Sequence, residues 1–234
     1  MNAPRQFRQH RFAPPSGACE ILLVRHGESA PFVDGDPFPL VDGHADPPLH
    51  DPDGLEQAER VADRLIATGE RIAAVYVTTL QRTRQTAAPL LERLGIEPRV
   101  EPDLREVFLG DWEGGVLRQR IADEDPIAAR LFTDQRWDVI PNAEPADEFE
   151  ARVRAGIERI AAEHADELVV VVVHGGVIGQ VMNIAAGTSG FRFNGADNAS
   201  IHHIVIDGNR WIIRCFNDTS HLHPTFSTAP EPLT

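Results

Sequence analysis

Two histidine-glycine pairs in the 234-residue chain provide the residue types that chemistry on a phosphate ester requires. Arg25-His26-Gly27 follows the apolar run 20–24, and His174-Gly175 follows the apolar run 168–173. A histidine can act as a nucleophile, and a guanidinium matches phosphate oxygens with paired hydrogen bonds. Either pair alone is more often a turn or helix-capping histidine than a catalytic one. Only their joint occurrence indicates a phosphate site.

The elements that would position these pairs alternate along the chain. Residues 20–24, 73–77 and 168–173 have the continuous apolar character of buried strands. Apolar residues at helical spacing predict helices within 80–94 and 146–164, and a further apolar helix follows His174-Gly175. This alternation predicts parallel strands with helices on both faces of the sheet.

A hairpin near the end of the chain makes the predicted sheet mixed. Asp207-Gly208-Asn209 lies between the apolar runs 200–206 and 211–216, and Gly and Asn tolerate the positive φ angles of a tight turn. We therefore predict an α/β fold, a three-layer α/β/α sandwich with a mostly parallel mixed sheet. Open sheets of this kind bind ligands beyond the carboxyl ends of their strands, where both histidines lie.

Three further segments make the pattern specific. They are Thr78–Ala87, with the sequence TTLQRTRQTA, then Leu104-Arg105-Glu106, and Gly110-Asp111-Trp112-Glu113-Gly114. Together with the two histidine-glycine pairs, in this order, the chain from residue 20 to about 216 resembles the histidine phosphatase superfamily. The likeness is to its phosphoglycerate mutase-like, cofactor-dependent mutase branch.

The resemblance implies a role for each matching residue. His26 would be the nucleophile that forms a phosphohistidine, Arg25, Arg82 and a protonated His174 would hold the phosphate, and Glu106 would donate and accept the proton. The implied catalytic residues are therefore His26, Glu106, His174, Arg25 and Arg82. The implied substrate-binding residues are Arg25, Arg82, His174, Gly175, Gly43, Asp42 and Phe32. The family needs no metal, and we expect no cofactor.

The chain departs from the family at two positions that contact the substrate. Phe32 stands where many members have an asparagine that contacts the phosphate, and Asp42-Gly43 replaces a Thr-Gly pair. We expect the Asp42 carboxylate to disfavour a doubly charged sugar phosphate. The segment 127–141 contains only the separated Arg130 and Arg136. It lacks the basic pair with which mutases grip their bisphosphate cofactor, and this favours phosphatase activity.

The leading interpretation is a phosphoric monoester hydrolase of the acid phosphatase type that acts on small phosphorylated metabolites. An acidic optimum is expected, because the acid form of Glu106 and a charged His174 are both wanted. The alternatives are a 2,3-bisphosphoglycerate-dependent phosphoglycerate mutase, a phosphoprotein phosphatase, and a non-catalytic sensor of a phosphorylated ligand. The segment 30–52 is a candidate lid. Arg118 and Arg120 would either hold a second anionic group or be solvated.

The charge composition of the chain argues against two classes of binding partner. Acidic residues outnumber basic ones by 36 to 22, which gives a formal charge of -14 and disfavours nucleic acid and anionic membranes. Without a membrane-spanning run or a signal-peptide core, we expect a soluble cytoplasmic protein. We also expect tails at 1–17 and 223–234 around a catalytic domain at 18–222, and two free thiols. A homodimer in which the apolar strand edges at 201–213 pair two subunits is a further candidate.

The other histidines receive structural interpretations. His44 and His50 are dismissed as a metal pair because the sequence offers no nearby carboxylate at ligand spacing. His202 and His203 are neighbours in a strand, so one is expected to be buried and one exposed. Asn198 precedes this strand and is a candidate for a polar residue near the pocket.

Overall fold

The computed structural model of the chain describes residues 5–223 and has a six-stranded mixed sheet at its centre. The strands in chain order are β1 (Cys19–Arg25), β2 (Leu40–Val41), β3 (His44–Ala45), β4 (Ile72–Val77), β5 (Arg99–Val100), β6 (Leu168–Val173), β7 (Ile201–Asp207) and β8 (Arg210–Asp218). The sheet order is β5-β4-β6-β1-β7-β8, and β2 pairs separately with β3. The first four strands of the sheet run parallel, and β7 is antiparallel to both of its neighbours.

Six α-helices of the described residues flank this sheet. They are α1 (Asp53–Ala67), α2 (Gln81–Leu94), α3 (Val116–Ala122), α4 (Pro126–Asp134), α5 (Ala146–Glu163) and α6 (Gly175–Ala186). Helices α2, α5 and α6 were predicted, whereas α1, α3 and α4 were not identified from the sequence. Helix α2 ends at Gly95 and α6 ends at Gly187, each in the left-handed conformation that glycine adopts without steric cost.

Alternation along the central strands produces the three predicted layers. In β6, Val169 and Val171 pack into the core formed with α5 and α6, whereas Val170 and Val172 pack into the core formed with α1 and α2. Side chains of successive strand residues point to opposite faces, so a strand covered on both faces is apolar throughout. A smaller core around Trp112 and Leu131 joins α3 and α4 to the rest.

The hairpin and the long segment before α1 take definite positions. Strands β7 and β8 turn at Gly208-Asn209, as predicted; β7 is shifted by one residue from the predicted run, and β8 extends beyond its predicted run at both ends. The segment 30–52 contains the β2–β3 hairpin and is tied down where the Leu49 amide donates to Gln85 Oε1 at 2.8 Å. Its role as a lid stays a prediction.

The ends and the thiols complete the outline. Residues 5–15 contain no helix or strand, and the predicted tail beyond residue 223 lies outside the described residues. Within the described chain both cysteines are free, with Cys19 buried and Cys215 half-buried. None of the helices of the described residues is long and apolar enough to cross a membrane.

Candidate active site

Neighbouring parallel strands bring the two histidines together. Arg25 at the end of β1 is in register with Val173 at the end of β6, and the His26 amide donates to the Val173 carbonyl at 3.0 Å. The next residue on each strand is a histidine, and the ring centroids of His26 and His174 are 5.3 Å apart. The sequence therefore placed both residues correctly at one edge of the sheet.

His26 is held in its neutral form, with one ring nitrogen free. Its Nδ1 lies 2.7 Å from the Gly27 carbonyl oxygen, which can only accept a hydrogen bond, so Nδ1 carries the proton and Nε2 has a free lone pair. Burial, followed by the charges of Arg82 and Arg25, holds the pKa of His26 well below its ordinary value. The imidazole is therefore uncharged at neutral pH, as a nucleophilic histidine would need to be.

Gly27 allows the histidine loop to pass close to α1. A Cβ at this position would lie 2.6 Å from the Gly54 carbonyl oxygen in the first turn of α1. Real Cβ atoms do not approach backbone oxygens this closely. The glycine of the Arg-His-Gly motif is thus required by the packing of the loop against the helix.

Two arginines approach His26 from different elements. Arg82, in the first turn of α2, donates from Nη1 to the Ala45 carbonyl at 2.9 Å and lies 4.0 Å from the nearer Asp46 oxygen. Arg25 donates to the Ala196 carbonyl at 2.5 Å, and its buried Nε has no partner within residues 5–223. Burial lowers the pKa of Arg82 to about 10, so the guanidinium stays charged at neutral pH.

His174 is fixed by a chain of hydroxyl groups that the sequence analysis did not assign to the site. Its Nε2 lies 3.0 Å from Thr78 Oγ1, which lies 3.1 Å from Thr83 Oγ1. Its Nδ1 is buried and has no hydrogen-bond partner in the described chain. Burial, followed by the charges of Arg82 and His26, holds the pKa of His174 well below its ordinary value. The neutral form of His174 is therefore favoured, contrary to the charged form expected from the sequence.

Glu106 is oriented by two backbone amides. Its Oε2 accepts from the Gly176 amide at 3.1 Å, in the first turn of α6, and its Oε1 accepts from the Val107 amide at 2.9 Å. A Cβ at Gly176 would lie 2.5 Å from Oε1. Glycine at this position therefore lets the carboxylate reach the start of the helix. Gly175 lies beside Arg25, since a Cβ there would be 3.4 Å from Arg25 Nε.

Four of the five predicted catalytic residues, Arg25, His26, Arg82 and Glu106, line one cavity of about 130 Å³, and the fifth, His174, contacts the His26 ring edge-on with the centroids 5.3 Å apart. It is lined by Arg25, His26, Ser29, Phe38, His44, Ala45, Pro47, Arg82, Glu106, Val107, Leu109, Trp112, Glu113, Gly115, Leu117 and Arg118. Trp112 and Glu113 belong to a motif found from the sequence, although no role was assigned to them. A larger cavity of about 430 Å³ shares Val107 but is not lined by His26.

Glu113 and His44 connect the hairpin to this cavity. Glu113 accepts from the Ala45 amide at 2.6 Å and from the Leu109 amide at 2.9 Å, and burial raises its pKa. His44 Nδ1 lies 3.9 Å from Glu113, and burial lowers the pKa of His44 to about 4. Both residues were missed as site residues, because only the folded hairpin brings them to the pocket.

Five predicted substrate-binding residues lie outside the cavity lining, namely His174, Gly175, Phe32, Asp42 and Gly43, and the last three are also held away from the catalytic side chains. Phe32 packs against Phe38 and against the backbone of Gly115, where a Cβ would meet its ring at 2.3 Å. Asp42 and Gly43 form the β2–β3 turn with positive φ angles, and the exposed Asp42 pairs with Arg105 at 3.2 Å. The expectation that Asp42 repels a second negative charge in the pocket is therefore wrong.

The remaining candidates divide into near and distant residues. Asn198 Nδ2 lies 3.5 Å from the His26 carbonyl oxygen, next to the site. His50 lies beside Glu28 and Asp53, with their candidate ligand atoms within 4.8 Å of one another, so the carboxylates that the sequence analysis found lacking are present. As predicted, His202 is buried, and His203 is partly exposed and paired with Glu20 at 3.0 Å.

Comparisons with known proteins agree with this geometry. A model of the histidine phosphatase superfamily (branch 1) matches residues 21–219. Phosphoglycerate mutase-like protein 4 of Arabidopsis thaliana is 35% identical over 88% of each chain. The metal-independent phosphoserine phosphatase of the same plant is 31% identical over 95% of this chain and 91% of its own.

Solved structures share the fold over most of their length. YhfR of Bacillus stearothermophilus superposes with a TM-score of 0.73 at 28% identity, covering 87% of this chain and 98% of that one. A mycobacterial glucosyl-3-phosphoglycerate phosphatase superposes with a TM-score of 0.68 at 26% identity, covering 86% of this chain and 99% of that one. With the family model spanning most of the sequence, the chain belongs to the histidine phosphatase superfamily.

Proposed function

We propose that this protein hydrolyses phosphate monoesters of small metabolites through a phosphohistidine on His26, without a metal ion. The observation that carries the proposal is the bare Nε2 of a buried neutral His26 in one cavity with Arg25, Arg82 and the Glu106 carboxyl group. A nucleophile, two phosphate-binding forks and a proton donor are the parts that two successive displacements at phosphorus require.

In the first step, Nε2 of His26 forms a bond to phosphorus as the ester P–O bond breaks. The departing alkoxide takes a proton from the acid form of Glu106, so an alcohol leaves and a carboxylate remains. The imidazole ring becomes positively charged, and its Nδ1–H group still donates to the Gly27 carbonyl. Arg25 and Arg82 neutralise the oxygens of the transferring phosphoryl group.

In the second step, water attacks the phosphohistidine in line with the P–N bond. The Glu106 carboxylate accepts a proton from this water, which restores its acid form and leaves inorganic phosphate. Neutral His26 is regenerated, because the same burial and arginine charges still disfavour its protonation. The cycle is balanced and consumes only water and ester.

The segment 127–141 lacks the basic pair of mutases, and its two separated arginines form ion pairs elsewhere, which favours hydrolysis over phosphoryl transfer to a second substrate. Arg130 pairs with Asp134 at 3.6 Å and Arg136 pairs with Asp138 at 2.7 Å, with both arginines largely exposed. Neither lines the His26 cavity. Several similar proteins carry names of phosphatases for small phosphorylated metabolites, including phosphoserine and glucosyl-3-phosphoglycerate, and this supports the same class of substrate here.

An acid phosphatase activity is part of this proposal. Burial and the neighbouring arginine charges hold the pKa of His26 well below its ordinary value, so the imidazole stays neutral in mildly acidic solution. The first step also requires the acid form of Glu106. An acidic optimum follows from these two requirements, with no need for a charged His174.

The test is phosphate release from p-nitrophenyl phosphate in EDTA at pH 5.5, with His26→Ala and His203→Ala as variants. We expect the wild type and His203→Ala to turn over, and His26→Ala to lose activity by at least about 10³-fold, because the nucleophile is gone. His203 is the matched control, since it lies on β7 outside the cavity. Full activity in His26→Ala would exclude the proposed nucleophile, and loss of activity in EDTA would exclude the metal-free mechanism.

A further inference from the structure

Arg118, in α3, is a third guanidinium in the cavity. Its Nη2 donates to Ser29 Oγ at 2.7 Å and its Nη1 donates to the Ala30 carbonyl at 2.7 Å. Its guanidinium carbon lies 5.4 Å from the centre of the Phe38 ring, so the side chain is held over an aromatic face. These contacts fix the Arg118 guanidinium against Ser29, which is three residues after His26 in the chain.

The cavity arginines make their hydrogen bonds to neutral groups. Arg25, Arg82 and Arg118 each donate to a backbone carbonyl rather than to a close carboxylate. Within residues 5–223 the carboxylates that act on them, such as Glu106 and Glu28, lie at 4.0 Å or more. Arg82 is buried and the other two are partly buried, so an anion that binds them would gain favourable charge interactions.

A single phosphoryl group accounts for only part of this charge. Arg25 and Arg82 provide two forks for the oxygens of one phosphate, as the proposed mechanism uses them. Arg118 comes from a different element and reaches the cavity from the side of Ser29 and Leu117. Asp42 does not oppose a further negative charge, because it is exposed and paired with Arg105 outside the cavity lining.

Phe32 and Phe38 explain how α3 presents this arginine. The Phe32 ring lies against Gly115, the residue immediately before α3, and its centroid is 6.0 Å from that of Phe38. Phe38 in turn lies beneath the Arg118 guanidinium. The phenylalanine that replaces the family's asparagine therefore supports the start of α3 instead of contacting the phosphate.

We propose that Arg118 selects phosphate monoesters that carry a second anionic group, a carboxylate or another phosphate, on their alcohol portion. This inference rests on the proposed function and adds the substrate class to it. The second anion binds the outer face of the Arg118 guanidinium while the ester phosphate lies against His26. Arg118 and His26 line the same cavity of about 130 Å³, so a short carbon skeleton is expected to join the two anionic groups.

The test compares kcat/KM for esters that differ only in the second group. Glycerol 3-phosphate and 3-phosphoglycerate differ by a hydroxymethyl against a carboxylate, and propane-1,3-diol monophosphate and bisphosphate test a second phosphate. The variants are Arg118→Leu, Arg118→Lys and the control Arg120→Leu. Arg120 lies on the same helix but is exposed and pairs with Asp125 at 3.1 Å.

We expect the wild type to prefer the esters that carry a second anionic group. Arg118→Leu should lower kcat/KM for these esters by about 10- to 100-fold, mainly through KM, because one charge-assisted contact is lost. For the esters without a second anionic group, p-nitrophenyl phosphate included, kcat/KM should change by less than about 3-fold. Arg118→Lys should keep part of the preference, and Arg120→Leu should keep all of it.

Two outcomes would overturn this inference alone. Equal losses of kcat/KM in Arg118→Leu on esters with and without a second anionic group would assign Arg118 to the transferring phosphoryl group. An unchanged preference in that variant would show that Arg118 does not select the substrate. A wild-type protein that releases phosphate from none of these esters, p-nitrophenyl phosphate included, would instead overturn the proposed function and this inference with it.

Discussion

Replacing Gly176 by alanine should displace Glu106, the proposed proton donor, without unfolding the protein. The new Cβ would lie 2.5 Å from Glu106 Oε1, whereas ordinary contacts begin near 3.4 Å, so the carboxylate must move by about 1 Å. The atom that moves is the end of a flexible side chain, and alanine favours a helix over glycine by about 1 kcal/mol. The substitution therefore acts on catalysis and not on folding.

The size of the effect should depend on the leaving group. An alkyl ester needs a proton on its departing oxygen, and a misplacement of this size costs about 100-fold in kcat/KM. The p-nitrophenolate anion leaves without that help, so kcat/KM for p-nitrophenyl phosphate should fall by less than about 3-fold. Because Glu106 also accepts the proton from water in the second step, p-nitrophenol should appear in a burst ahead of phosphate.

The assay measures kcat/KM for glycerol 3-phosphate and p-nitrophenyl phosphate, with a rapid-quench burst experiment on the second ester. Gly179→Ala is the control, since it makes the same change one turn later in α6, where the Cβ meets the Phe193 carbonyl at 3.3 Å and not Glu106. Equal losses on the two esters, or none on either, would refute the assignment of Glu106 as the proton donor.

Two further outcomes follow from the buried histidines. Thr78→Val removes the hydrogen-bond partner of His174 Nε2 and should lower kcat/KM for every ester by roughly 5- to 10-fold, the equivalent of one hydrogen bond. Unchanged kinetics would show that this hydroxyl does not support His174. The pKa of His202 is lowered to about 3 by burial, against about 6.5 in the unfolded chain, so its stabilisation is present above pH 6.5 and is lost as the pH falls toward 3. Urea unfolding at pH 7.5 and pH 5 should therefore show a loss of about 2 kcal/mol from this residue, and His202→Gln should shrink the pH difference by that amount; an unchanged difference would contradict the assignment.

The parts of the site that adjoin strand ends could be predicted from the sequence. Arg25-His26 and His174 directly follow apolar strands, and strand register alone brings His26 and His174 together. Arg82 and Glu106 were found because they belong to recognisable motifs. In each case the position depends on local sequence and on the general geometry of parallel sheets.

Contacts that depend on long-range packing could not be predicted. The sequence left Arg118 undecided between holding a second anionic group and being solvated, because its place is set by Ser29 and Phe38, which lie some eighty residues earlier in the chain. The turn at Asp42 is directed away from the cavity by the β2–β3 hairpin, which motif alignment did not reveal. The neutral state favoured for His174 follows from burial and neighbouring arginines, neither of which a sequence displays.

The central claim is that His26 itself carries the phosphoryl group, and trapping the intermediate tests it most directly. The wild type is mixed with p-nitrophenyl phosphate in EDTA, quenched in alkali within the turnover time and digested for peptide mass spectrometry, with His26→Ala treated in parallel. We expect an acid-labile, alkali-stable phosphoryl group on His26 in the wild type and none in the variant. A phosphoryl group on another residue, or hydrolysis that continues in His26→Ala, would contradict the account.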